Sequence, residues 1–220
     1  MKSEELYYQL HILIAENNSL KNMKISKPHF VQLFNREALK WVNKKLENSN
    51  SSERINILQE LLDTASLLQK TTTVSFTEFS LPEDYYWLAS TNVEFSKGDC
   101  RKVGYVDLVH PKEVEVYLKD ANNSPSFDWN YSIAELTNST YKVYKDDFTI
   151  DSVNLTYWKT PTKIDLAGYK NLVNGEDSQD IDSELSEIYL MEILDNVCLE
   201  IAREFENGNT FQLAQTRNAV

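Results

Sequence analysis

The spacing of apolar residues changes period twice along the chain, from helical to alternating and back to helical. Leu6, Leu10 and Ile14, with Leu13 beside them, recur at helical spacing and predict a short amphipathic helix over 4–16. Glu4 and Glu5 suit the positive end of its dipole, and Asn17-Asn18-Ser19 should end it. A second helix should open at Ser26-Lys27-Pro28, with Ser as N-cap and Pro in the first turn. Phe30, Phe34, Ala38, Trp41 and Val42 mark one face of that helix, and the polar run 47–52 breaks it. A third helix is expected over 53–69, with Ile55, Leu58, Leu62, Ala65 and Leu68 on its face.

From Thr71 the alternation is that of strands. Segments 71–76, 76–85, 93–98 and 104–109 carry it, and an aromatic cluster ends at Trp87. Residues 110–118 read as strand or short helix, and Pro111 followed by Glu113 favours a helical turn. Ser124-Pro125-Ser126 is a turn, after which Phe127, Trp129 and Tyr131 alternate as a strand. The clearest β signal is 141–161, two strands joined by an acidic turn at Asp146-Asp147. There Val153, Leu155 and Tyr157 alternate with Ser152, Asn154 and Thr156 until Pro161, which has no N–H for a ladder bond. A polar loop over 171–179 precedes a last helix from Asp180 to Phe205. Leu185, Ile188, Met191, Leu194, Cys198, Ile201 and Phe205 form its stripe, Asp180 or Asp182 its N-cap, and Gly208 its stop.

Helices, then strands, then a helix make an α+β pattern rather than an alternating β-α-β one. The expectation is a helical bundle, built from N-terminal helices and one long C-terminal helix, with an inserted antiparallel β region. Its segments are N-terminal helices over 1–70, β-rich insertion over 71–165, loop and core helix over 166–207, and a weakly apolar tail over 208–220.

Composition narrows the function. The 34 acidic against 22 basic residues leave a net charge of −12, the wrong sign for clamping phosphates or reading a DNA sequence. A wall past which DNA slides is compatible with it. The charge is uneven: residues 1–50 hold eight Lys/Arg against five Asp/Glu, while 180–206 hold nine acids and only Arg203 as a base. These two segments could meet, within one subunit or between two, or form separate solvated faces. Cys100 and Cys198 lie outside any C-x-x-C spacing and point to reduced thiols. The first residues carry no signal-peptide core, and no apolar run approaches a membrane span, so a soluble chain is expected.

No catalytic constellation emerges. His11, His29 and His110 sit on different elements without Cys or His partners. Five glycines include no phosphate-cradling motif. Asp146-Asp147 is more simply a charged hairpin tip than a cation site, and helix capping accounts for Asp180 and Asp182 better than a calcium loop does. No enzyme activity, metal or cofactor is therefore expected. The aromatics stand out instead. Most belong in a sheet core, but the adjacent pairs Tyr86-Trp87 and Tyr157-Trp158 put an aromatic on each face. Tyr86, Trp87 and Trp158, with Phe211 and Leu213 in the tail, are the candidate protein-interface residues.

Three blocks together carry a family resemblance. They are Glu5-Leu6-Tyr7 with 30–42, then 79–86 with Ser96-Lys97-Gly98-Asp99-Cys100, and 142–148 with 153–165 and Gly168-Tyr169. In this order, over nearly the whole chain, they resemble a neck ring protein of the crAss-like phages. The resemblance implies a non-enzymatic virion protein, a head–tail connector that assembles as a dodecameric ring between portal and tail. It implies contacts with the portal and other neck or tail proteins, a C-terminal segment docked on the portal or a neighbour, and packaged DNA passing without sequence-specific contact. Localisation would be the virion neck, after assembly in the host cytoplasm, with no membrane contact. The alternative is an acidic soluble module that blocks a host protein by mimicking nucleic acid.

Overall fold

The computed structural model describes residues 1–16, 24–171 and 175–217, with the backbone alone at 51 and 205–217. The chain forms two compact units: Met1–Leu61 with Pro161–Val220, and Leu62–Thr160 between them in sequence.

In the first unit, α1 (Ser3–Glu16) buries Leu6, Leu10 and Ile14. Its N-terminus is closed from far along the chain: Asp182 Oδ1 accepts the Ser3 N–H at 2.7 Å, and Ser3 Oγ donates to the Ile181 carbonyl at 2.6 Å. Helix α2 (Lys27–Asn48) has Pro28 in its first turn and buries Phe30, Leu33, Phe34, Ala38, Trp41, Val42 and Leu46. Ser26 occupies the N-cap position but makes no side-chain cap bond. A capping box starts α3 (Ser51–Ile57), where Asn50 Oδ1 accepts the Glu53 N–H and Glu53 Oε2 accepts the Asn50 N–H. A 3-10 turn, Gln59–Leu61, follows.

Helix α5 (Glu187–Arg217) runs antiparallel to α2, since Arg36 meets Glu200 at 3.0 Å while Lys45 meets Glu192 at 3.3 Å. Trp41 and Tyr189 rings lie 5.0 Å apart across this contact. The basic early segment and the acidic late one thus meet inside one subunit. Each exposed pair is worth only about 0–1 kcal/mol, so the buried apolar side chains between the helices carry the packing.

The second unit is a sheet in the order β1-β8-β4-β5-β6-β7-β3-β2. Its strands are β1 (Leu62–Ser66), β2 (Leu68–Thr72), β3 (Phe76–Ser80), β4 (Tyr85–Lys97), β5 (Cys100–Leu108), β6 (Tyr131–Leu136), β7 (Thr140–Tyr144) and β8 (Thr149–Lys159). All pairs are antiparallel except β5 with β6. The two outermost strands, β1 and β2, are separated in sequence by Leu67 alone. The sheet's two ends are therefore one continuous piece of chain, and the sheet curls into a barrel. Three register shifts in the pairing of β4 with β8 help the long β4 to bend.

The barrel core joins Phe79, Val93, Phe95, Ala134, Tyr141, Val143, Val153, Leu155 and Tyr157 from five strands, with Leu67 and Phe148. Gly104 is needed opposite Phe95, because a Cβ there would fall 1.8 Å from the Phe95 ring. Between β5 and β6, α4 (Val114–Lys119) places Val114 against Val109, Ile133 and Tyr144, a smaller cluster separate from the barrel core.

These observations correct the expected bundle with a β insert. The eight-stranded sheet is no small insert in a bundle but, with α4, makes up the second unit, Leu62–Thr160. The helix expected over 53–69 stops at Ile57, because 62–66 pair with β8 and 68–72 with β3. Of its supposed stripe, Leu58 is buried while Ile55 and Leu68 are exposed. Phe127 and Trp129 sit in a turn rather than a strand. The last helix starts at Glu187, so Asp180 and Asp182 cap nothing on it. Asp182 closes α1, and Asp180 accepts the Ala167 N–H. Its buried stripe is Leu190, Ile193, Leu194, Val197 and Ile201, whereas Ile188 is exposed. Gly208 does not stop the helix. The expected stop of α1 at Asn17-Asn18-Ser19 lies outside the described residues.

Trp41→Ala should lower stability by roughly 3–5 kcal/mol in urea unfolding, since Trp41 is buried between α2 and α5. Gly104→Ala should cost about 1–3 kcal/mol by overpacking. Adding Phe95→Ala to Gly104→Ala should cost less than the sum of the two single changes, a coupling that unfolding of the four proteins measures.

Candidate interaction surface

On the strands of the barrel, alternation sends one set of side chains to the core and the other outward. On β5, Gly104 and Val106 turn in, which leaves Val103, Tyr105 and Asp107 on the outer face. Val103 is 62% exposed and Tyr105 78%. Tyr105 faces Tyr131 in register, and its N–H donates to the Asn130 carbonyl at 2.7 Å. Asn130 holds a left-handed φ of 52°, which Asn tolerates better than most residues. That turn carries Trp129, 83% exposed, beside β5. Glu94 faces Val103 across the β4–β5 ladder, and Glu94, Asp107 and Asp128 are all exposed.

The residues expected at an interface are distributed differently. Trp87 and Trp158 are cross-strand partners on β4 and β8, with Tyr86 at the register shift just before Trp87. Trp87 is 41% exposed and Tyr86 half-buried. Trp158 is only 4% exposed, which removes it from the candidate surface. Tyr157 beside it is buried in the barrel core, so β8 is covered on both faces at this point. The expectation that alternation leaves one face free fails there. Phe211 and Leu213 lie on the α5 backbone, and their side chains fall outside the described residues. Tyr105 and Val103 were missed. The signal was present in Gly104, whose smallness marks the inward face and assigns its neighbours to the outer one.

The three histidines and several acids make structural contacts. His11 packs edge-on against Tyr7, His29 lies 3.4 Å from Glu204, and His110 Nδ1 accepts the Lys112 N–H. Asp147 pairs with Lys97, and the Asp146-Asp147 turn is not the hairpin tip expected, because β7 and β8 pair with other strands rather than with each other. Buried Glu37 takes both Arg36 and Lys40. It edges a cleft of about 290 Å³ between α2 and α5, with Trp41, Glu192 and Asp195. Among the described residues, no group of three or more His, Cys, Asp or Glu is placed to hold a metal ion. Burial, and then the Asp195 charge, push the Cys198 thiol up to about 11.

Burial also raises several phenols. Tyr141 is pushed up to about 12. So is Tyr157, where a 2.9 Å bond to Asp84 adds to burial, and Tyr131, where the Asp107 charge does. Tyr144 is raised as well, by burial and then by the bond it donates to Glu135.

No family model matches the chain, and no curated protein matches it. Among the described residues, no helix is long and apolar enough to cross a membrane.

A phenol whose pKa is higher in the folded state contributes stability that is complete below its unfolded value and is lost as pH rises through the folded one. The urea midpoint should therefore fall between about pH 10 and about pH 12. Tyr157→Phe should make that fall shallower, as followed by unfolding at a series of pH values. An unchanged slope would place the Tyr157 proton outside the coupling.

Proposed function

We propose that this chain is a non-enzymatic subunit of a phage head–tail connector, forming a ring that joins the portal to the tail around the DNA channel. The observation that carries this reading is the resemblance to crAss-like neck ring proteins, which runs in order over nearly the whole chain (5–7, 30–42, 79–86, 96–100, 142–148, 153–165 and 168–169). Two further features support it. The excess of 12 negative charges suits a channel wall that packaged DNA passes without adhering. The fold also divides into a helical unit and a barrel whose outer face carries exposed aromatics, surfaces suited to contacts with ring neighbours and with stacked rings. On this reading the protein resides in the virion neck, after assembly in the host cytoplasm, and the helical end 208–217 of α5 makes the portal or neighbour contact in place of a loose tail.

Native mass spectrometry of the protein, alone and with the portal from the same genome, tests this. The expected result is a closed ring of about a dozen copies seated on the portal. Like-charge repulsion should keep free subunits monomeric until the portal templates them. Truncation after Gly208 should weaken portal association. A chain that stays monomeric and ignores the portal would overturn the connector reading and favour an acidic module that binds a host protein.

A further inference from the structure

The patch made by Val103, Tyr105 and Trp129 has no structural duty that the fold reveals. The barrel core lies on the opposite side of β5, and the cluster under α4 is formed by Val109, Val114, Ile133 and Tyr144. Single exposed apolar residues are ordinary, but three neighbouring ones, two of them large aromatics at 78% and 83% exposure, are not. The turn that presents Trp129 is held at a left-handed Asn130, and Asn130 Oδ1 is buried without a hydrogen-bond partner. Local strain of that kind persists where the surroundings impose it.

The charges around the patch name the partner. Glu94 faces Val103, Asp107 follows Tyr105 on the same face of β5, and Asp128 precedes Trp129. Against these three acids stand Arg101 on that same outer face of β5 and Lys97, which pairs with Asp147 and lies near enough to Asp128 to feel its charge, so that with Asp146 and Asp147 the surroundings stay acidic. Lys102 turns toward Phe127 and donates to its carbonyl at 3.2 Å. Asp107 lies close enough to Tyr131 for its charge to help raise that phenol, and it stays exposed.

We propose that this face of the barrel docks a basic polypeptide segment whose arginines alternate with apolar side chains. Arginine is the group that fits both halves of the surface. Its guanidinium stacks on the faces of Trp129 and Tyr105 while its N–H fork reaches a carboxylate such as Asp107 or Glu94. Lysine would reach the acids without the planar stack. Nucleic acid would stack but would be repelled by the acidic rim. The site does not depend on the ring reading, since it would act equally in a monomer.

Fluorescence anisotropy tests it, using a labelled short peptide of alternating arginine and leucine at about 0.15 M salt. The same peptide with glutamate for arginine and the neutral oligosaccharide cellohexaose serve as comparisons. Trp129→Ala with Tyr105→Ala should weaken binding of the arginine peptide by about tenfold or more. Neutralising the rim (Glu94→Gln, Asp107→Asn, Asp128→Asn) should weaken it clearly. Neutralising three exposed acids elsewhere (Glu47→Gln, Glu83→Gln, Glu115→Gln) should change it by less than about twofold. Trp129→Ala alone, at a position 83% exposed, gives the same readout without touching the core.

The proposal is overturned if the aromatic variants bind the arginine peptide as the wild type does. Equal losses from rim and remote neutralisation would also overturn it, as diffuse attraction to an acidic protein. Cellohexaose binding that disappears with Trp129, while peptide binding does not, would replace it with a sugar platform.

Discussion

The N–H of Leu67 donates to the Val153 carbonyl at 2.8 Å where β1 passes into β2, and the Leu67 side chain is buried in the barrel core. At that residue the chain stops pairing with β8 and begins pairing with β3, so the two ends of the sheet meet. An open sheet of this size would leave long unpaired edges and a half-solvated inner face. Joining its ends encloses Phe79, Phe95, Tyr141 and Leu155 from different strands around one interior. Demands elsewhere follow from that enclosure. The Phe95 ring occupies the space a side chain on Gly104 would need, and β4 must bend through its register shifts.

The helical unit solves a different problem with more distant parts of the chain. Helices α2 and α5 bury their apolar faces on each other and line up opposite charges along the rim of that contact. Much of the late segment's acidity is thereby spent inside the subunit, on Arg36, Lys45 and His29, rather than offered to a partner. Asp182 is used in the same way, tying the first turn of α1 to the segment that leads into α5. Glu94, Asp107 and Asp128 remain exposed near Val103, Tyr105 and Trp129.

Several features were legible in the residues. The face of α2 follows from Phe30, Phe34, Ala38, Trp41 and Val42 at helical spacing, and every one of these is buried. The strands β7 and β8 follow from alternation on either side of Asp146-Asp147, with Val153, Leu155 and Tyr157 in the core, but they form no hairpin: β7 pairs with β3 and β6, and β8 with β1 and β4. Those segments have one strong period and a clear stop. Residues 53–69 had no such clarity. Leu58, Leu62 and Ala65 fit a helical stripe as well as a strand, and the ladder offered by β8 decided in favour of the strand. The candidate surface was half legible. Adjacent aromatics correctly indicated that both faces of β4 and β8 carry rings, but not which rings stay exposed. Trp158 proved buried and Trp129 open, and only the fold separates them.

By itself, then, the sequence determined the α+β class, the locations of the first two helices and of the strands on either side of Asp146-Asp147, and the acidic balance, because each rests on spacing or charges close along the chain. Tertiary structure alone decided that 62–72 close a barrel, that Asp182 caps a helix begun at Ser3, that α5 turns Leu190 and Val197 inward rather than Ile188, and that the turn carrying Trp129 lies beside Tyr105. Each of these pairs groups far apart in sequence or chooses between two faces of comparable apolarity. Local spacing is the same for either choice. The free energy that separates them comes from the partner surface, which exists only once the chain has folded.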